Sequence, residues 1–149
     1  MKNSISHVVI IPADINHVAC AVAQLLSFLQ NQTEVDDDNL FDTKVILNEL
    51  IVNAIVHGNK EDSDKKVTAK MYISNHRIII IVEDQGKGIN VSEFLEDRSK
   101  CNVEHYNEDN FLFDENGRGL KLVSSLCKCI RFNKSGNRVV ILKEIDRLH

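Results

Sequence analysis

The sequence predicts a two-layer α/β (α+β) sandwich, with helices on one face of a mixed, mainly antiparallel sheet. Three observations carry that expectation. The elements run β-α-α-β-β-loop-α-β-β, so helices and strands are not interleaved one for one as in a doubly wound fold. Two pairs of strand-like runs are separated by short turns and read as hairpins. One run, "RIIIIVED" (77–84), is apolar on both faces and belongs in the middle of a sheet.

Each element has its own signal. "ISHVVIIP" (5–12) is β-branched and stops at the only proline, so it reads as a strand. Asp14 is placed to cap a helix in which Val18, Ala21, Val22, Leu25 and Leu29 share a face. The acidic stretch "NQTEVDDDN" (31–39) is a loop whose last Asp residues suit the positive start of a second helix. That helix is expected to continue to Gly58, a natural C-terminal stop.

"KKVTAKMYIS" (65–74) alternates, with Val67, Ala69, Met71 and Ile73 on one face, and turns at Asn75–His76 into the run at 77–84. Residues 85–116 are polar, charged and punctuated by glycine, and a loop of that length in a compact domain is usually functional or mobile. "GLKLVSSLC" (119–127) reads as a short helix. "KCIRFNKSGNRVVILKEI" (128–145) then forms a second hairpin that turns at Lys134–Asn137.

The bulk numbers bound the function. A chain of 149 residues is most simply one domain, 1–149, with room for a real core. A net charge of −4 argues against a direct nucleic-acid partner, since such domains carry a basic footprint. The four cysteines show no C-x-x-C pair, which suits reduced, mostly buried thiols in a cytosolic protein. No signal-peptide pattern opens the chain, and no run approaches the roughly 20 apolar residues of a membrane span. A soluble, cytoplasmic protein with no membrane partner is expected.

Three short motifs carry chemistry. In "NELIVNAIVHGN" (48–59), Glu49, Asn53 and His57 recur every four residues and so stack on one helical stripe. The stripe alone is compatible with the solvated side of an amphipathic helix. Yet Val45, Ile46, Leu50, Ile51, Val52, Ala54, Ile55 and Val56 cover most of the circumference, so a carboxylate there needs a partner. A cation with an anionic ligand would supply one, and an amide oxygen one turn from a carboxylate suits Mg²⁺. His57 reads as a C-terminal histidine interacting with the helix dipole.

In "VEDQGKGI" (82–89), Asp84 ends a strand before Gly86 and Gly88. This is either a tight turn with a solvated Asp, or a place where a planar ligand lies on backbone while Asp84 accepts a hydrogen bond from it. The exocyclic amino group of adenine is such a donor. "ENGRGLKLV" (115–123) sets Gly117, Arg118 and Gly119 at a helix N-terminus, where free N–H groups favour phosphate. There is no Walker A spacing. A Rossmann fingerprint is excluded because position 122 is Leu rather than Gly.

In order, E-x-x-x-N on a helix, D-x-G-x-G after a strand and G-x-G before a helix resemble the Bergerat ATP-binding fold of histidine kinases, DNA gyrase B and MutL. The wording "NELIVNAIVHGN…VEDQGKGI…NGRGLKLV…RFNKSGNRVVILKE", over about residues 40–145, looks closest to the anti-sigma regulatory branch, the serine-protein kinases. The resemblance implies ATP and Mg²⁺ as cofactors. It implies Glu49 as general base, Asn53 as the Mg²⁺ ligand, and Asp84 as the reader of adenine with Gly86 and Gly88 beside the base. Gly117, Arg118 and Gly119 would lie at the phosphates, under a lid formed by about residues 90–116. The implied activity is serine/threonine-protein kinase and anti-sigma factor. Its partners would be a sigma factor and an anti-anti-sigma protein of the STAS type, and the protein would be a homodimer.

The segment "EFLEDRSKCNVEHYNEDNFLFDEN" is more acidic than expected for that branch, which bears on partner identity more than on nucleotide binding. A non-catalytic ATP-binding module of the same fold is the alternative. A detached histidine-kinase catalytic domain fits less well, because His17 lacks the acidic neighbour of a phosphoacceptor histidine.

Overall fold

The computed structural model describes residues 4–86 and 117–145, with side chains described from Leu120 onward in the second segment. Five strands form one sheet: β1 (Ile5–Pro12), β2 (Lys66–Ser74), β3 (Arg77–Asp84), β4 (Cys129–Phe132) and β5 (Arg138–Glu144). Their order is β1-β2-β3-β5-β4, which puts the doubly apolar β3 at the centre as its composition requires. All four pairings are antiparallel, so the described sheet is not mixed. For two of the four pairings the reason is local. β2–β3 and β4–β5 are tight hairpins, and a short connection can only join antiparallel neighbours.

Three helices complete the sandwich: α1 (Val18–Gln32), α2 (Asp37–Asn53) and α3 (Gly117–Leu126). Asp14 accepts from the Asn16 N–H at 2.9 Å and caps a single 3₁₀ turn, Ile15–His17, that feeds α1. The five α1 residues predicted to share a face are its buried ones. Asp36 caps α2 by accepting from the Asn39 N–H at 2.7 Å, and Asp37 and Asp38 in its first turn complement the dipole. Ile46, Leu47, Leu50, Ile51 and Ile55 then join one core with Val67, Met71, Ile78, Ile80 and Ile141 of the sheet. Each such side chain contributes roughly 1.5–3 kcal/mol on burial.

The second helix does not continue regularly to Gly58. α2 ends at Asn53 and passes into a π-helical turn, Ala54–Gly58, closed by the Asn59 N–H donating to the Ala54 carbonyl five residues back at 2.8 Å. The turn holds an extra residue relative to a regular α-helix, so the four-residue spacing that stacks Glu49 and Asn53 does not carry through it unchanged. Lys60 and Glu61 follow at φ 54° and 59°, a left-handed pair that ordinary side chains adopt only at a cost.

The cysteines also depart from expectation. Cys127 is a buried free thiol, pushed up to about 11 by burial, but Cys20 is exposed and Cys129 is disulfide-bonded. Among the described residues no helix is long and apolar enough to cross a membrane.

Among the described residues Lys143, on β5, is the one buried cation. It donates to the Leu126 carbonyl in the last turn of α3 at 3.1 Å and lies 3.6 Å from Asp42 of α2. It ties α3 and α2 to the sheet together. Lys143→Ala should lower stability by about 1–3 kcal/mol in urea denaturation, since a buried carbonyl and a carboxylate lose their partner. Lys143→Met, which keeps the aliphatic stem, should lose less.

Candidate functional site

The π-helical turn and the end of β3 meet at a contact that only glycine permits. A Cβ on Gly58 would fall on the Asp84 carboxylate, and a Cβ on Gly86 would fall on the Gly58 carbonyl. The Asp84 Oδ1 accepts from the Gly86 N–H at 2.8 Å, which folds the strand end back over its own carboxylate. Asp84 is buried, and burial raises its carboxyl above the usual 3.8. Glu83 adds to the rise, while the Gly86 hydrogen bond and Lys65 oppose it.

A cleft opens beside this contact. Leu50, Asn53, Ala54, His57 and Gly58 line it from the helical side, and Val82 and Asp84 from β3. Leu120 of α3 closes one flank, and Phe132 with the turn residues Gly136, Asn137 and Arg138 closes another. The cleft is mainly apolar with a few polar groups, the usual make-up of a small-molecule site. Asn53 is 9% exposed, and neither its Oδ1 nor its Nδ2 has a hydrogen-bond partner. A buried amide left so costs roughly 1–3 kcal/mol per unmet group, a cost that a polar ligand group in the cleft could remove.

Asn53 and Asp84 thus face one cleft, with Gly86 packed behind Asp84. Glu49 lies one turn before Asn53, half-buried, and is not among the lining residues. Gly117, Arg118 and Gly119 form the first turn of α3, immediately before the lining residue Leu120. Gly88 and the expected lid at 90–116 lie outside the described residues.

Sequence reasoning missed two asparagines. Asn59 is fully buried. Its Nδ2 donates to the Lys66 carbonyl at 2.9 Å, and its Oδ1 accepts from the Gln85 N–H at 2.8 Å. Asn137 donates to the Asp84 carbonyl at 3.3 Å and accepts from the Asp84 N–H through its own carbonyl at 2.9 Å. The contacts to Gln85 and Asp84 span 26 and 53 residues, so no local spacing could reveal them.

A cleft between a helix and the end of a central strand, with a buried carboxylate at one place and an unpaired buried amide at another, is a small-molecule site carried on an α/β sandwich. The histidine kinase-like ATPase domain family matches residues 11–143, and the chain belongs to that family. Membership implies the use of ATP. The chain is 26% identical over 148 residues to a protein named serine-protein kinase RsbW from Bacillus subtilis, covering 98% of this chain and 90% of that one. It is 26% identical over 141 residues to the serine-protein kinase RsbW of Staphylococcus epidermidis, covering 92% and 85%. It is 36% identical over 77 residues to the anti-sigma F factor of Anoxybacillus flavithermus, covering 51% and 47%.

The raised carboxyl of Asp84 fixes a sign. Folding favours its protonated form, so the stabilising contribution is complete below 3.8 and is lost as pH rises through the higher folded-state value. Asp84→Asn keeps an acceptor for the Gly86 N–H and removes the buried charge. The nucleotide-free variant should therefore melt at or above the wild-type temperature at pH 7, with the difference shrinking toward pH 3.8 in a calorimetric pH series.

Proposed function

We propose that the chain is an Mg²⁺-dependent ATP-utilising protein serine/threonine kinase that acts in the cytoplasm as an anti-sigma factor. In this reading it binds a sigma factor, phosphorylates a Ser or Thr of a STAS-type anti-anti-sigma partner, and works as a homodimer. The observation that carries it is the buried, unpartnered amide of Asn53 in the cleft that Asp84 also lines. The names of the similar proteins, serine-protein kinase and anti-sigma F factor, support the choice within the family.

The roles follow from chemistry. Asp84, with Gly86 and Gly88 beside the base, accepts from the adenine amino group where guanine would present an oxygen. Asn53 offers its amide oxygen to Mg²⁺. Mg²⁺ takes few protein oxygens and prefers phosphate and water for the rest, so a single amide oxygen would suit it. Bound there, the ion would neutralise charge on the phosphates. Gly117, Arg118 and Gly119 open α3, where the free backbone N–H groups of a helix start would suit those phosphates. Glu49 would accept the proton of the attacking Ser or Thr hydroxyl, whose oxygen would gain the γ-phosphoryl group as the bond to the departing ADP breaks. Phosphoryl transfer needs chiefly positioning and charge stabilisation, which so short a residue list can supply.

A non-catalytic ATP-binding module is the second reading. It is favoured by one observation: Glu49 is half-buried and does not line the cleft. Glu49→Gln separates the two. The kinase reading expects near-normal ATP affinity with labelled-phosphate transfer reduced about 10²–10⁴-fold, the usual contribution of a general base. Wild-type protein that binds ATP and its partner but never moves label would leave the module standing.

Asn53→Ala addresses the metal. It should weaken Mg²⁺-dependent ATP binding more than metal-free ADP binding, because only the former uses the amide oxygen. Equal losses in calorimetry would make Asn53 structural.

A further inference from the structure

The β3–β5 ladder ends at Glu83↔Arg138, one residue short of the carboxylate that lines the cleft. On the β2 side Asp84 still pairs with Val67, so it is toward β5 that its backbone N–H and carbonyl need partners beyond the ladder. On the side of Gln85 the chain is pinned by buried Asn59, and the Gln85 Oε1 accepts from the Lys66 N–H at 2.7 Å. On the other side the hold is Asn137, through a backbone hydrogen bond in one direction and its side-chain amide in the other. Among the described residues no other side chain hydrogen-bonds the Asp84 backbone.

Asn137 is itself immobilised. Its Oδ1 accepts from the Asn133 Nδ2 at 2.7 Å and from the Ser135 hydroxyl at 3.0 Å. The turn is locked further by Gly136 at φ 81°, and by the Asn133 Oδ1 accepting from the Gly136 and Arg138 N–H groups at 2.8 and 3.1 Å. A rigid turn thus reaches the strand end that bears Asp84 through one amide that also lines the cleft.

We propose that Asn137 is a positioning residue for base selection, fixing the Asp84 carboxylate where it accepts from an adenine amino group and meets the guanine oxygen unfavourably. The inference rests on the reading of Asp84 as the adenine acceptor. Hydrogen bonds weaken steeply with misalignment, so a carboxylate allowed to drift loses the bond that separates the two bases.

The test is calorimetric titration of the full chain with Mg²⁺–ATP and Mg²⁺–GTP. Asn137→Ala should weaken ATP binding about three- to tenfold, the size of one lost hydrogen bond, with GTP affinity little changed. The ATP:GTP preference should fall by the same factor. Ser135→Ala, which removes only a support of the Asn137 amide within the turn, should keep most of that preference. If Asn137→Ala fails to fold, Asn137→Asp carries the test. It retains the size and the acceptor but cannot donate to the Asp84 carbonyl, and its added charge cancels in the ratio of two equally charged nucleotides. A lower melting temperature with an unchanged ATP:GTP ratio would make Asn137 structural and overturn the proposal. Equal ATP and GTP affinities in the wild type would instead remove the adenine reading itself, and the proposal with it.

Discussion

The site depends on one close approach: the backbone of Gly58 against the carboxylate of Asp84, with Gly86 stacked on the Gly58 carbonyl. Nothing larger than hydrogen fits at either glycine. The approach brings a helix end and a strand end together without a side chain between them, so the cleft lies beside the contact rather than being filled by it. The π-helical turn is the local means. One added residue in the turn Ala54–Gly58 changes where the chain leaves the helix, and Asn59 then anchors it to the start of β2 and to Gln85.

That arrangement is costly in the free protein. A buried carboxyl is pushed toward its neutral form, a buried amide has no partner, and two consecutive residues, Lys60 and Glu61, are left-handed. Each feature costs on the order of 1 kcal/mol or more, and all three occur within or next to the same turn. The surrounding sandwich offsets them, because α2 and the sheet share a continuous apolar core up to Ile55. A pocket built to meet polar ligand groups is expected to be unsatisfied without them.

The sequence made most of the architecture legible, because its signals are local. The Val18–Leu29 face, the alternation in β2, the doubly apolar β3 and the acidic start of α2 all reappear where composition placed them, whereas Asp14 caps a 3₁₀ turn ahead of α1 rather than α1 itself. What could not be read was register and reach. The change from α to π depends on how the helix end must meet β3, and both glycine contacts are long-range. Asn53 and Asp84 were found by motif and do face one cleft, whereas Glu49 came from the same motif and does not line it. A four-residue spacing says which residues share a stripe, and not which part of that stripe a cleft will use. Asn59 and Asn137 escaped because an asparagine after a glycine reads only as a turn residue.

The two ends of the cleft are held in different ways. At Asp84 the backbone is fixed from both flanks, by Asn59 through Gln85 and by Asn137 directly, and the carboxylate is pinned by the Gly86 N–H. At Asn53 the side chain is placed by burial alone, with no hydrogen bond to orient its amide. A group locked before a ligand arrives can discriminate between ligands, since misplaced donors meet a geometry that does not yield. A group oriented only by packing can turn its amide toward what binds, at little reorganisation cost. On the proposed reading, selectivity would belong to the strand end of the cleft, and adjustment to whatever occupies the remainder to the helix.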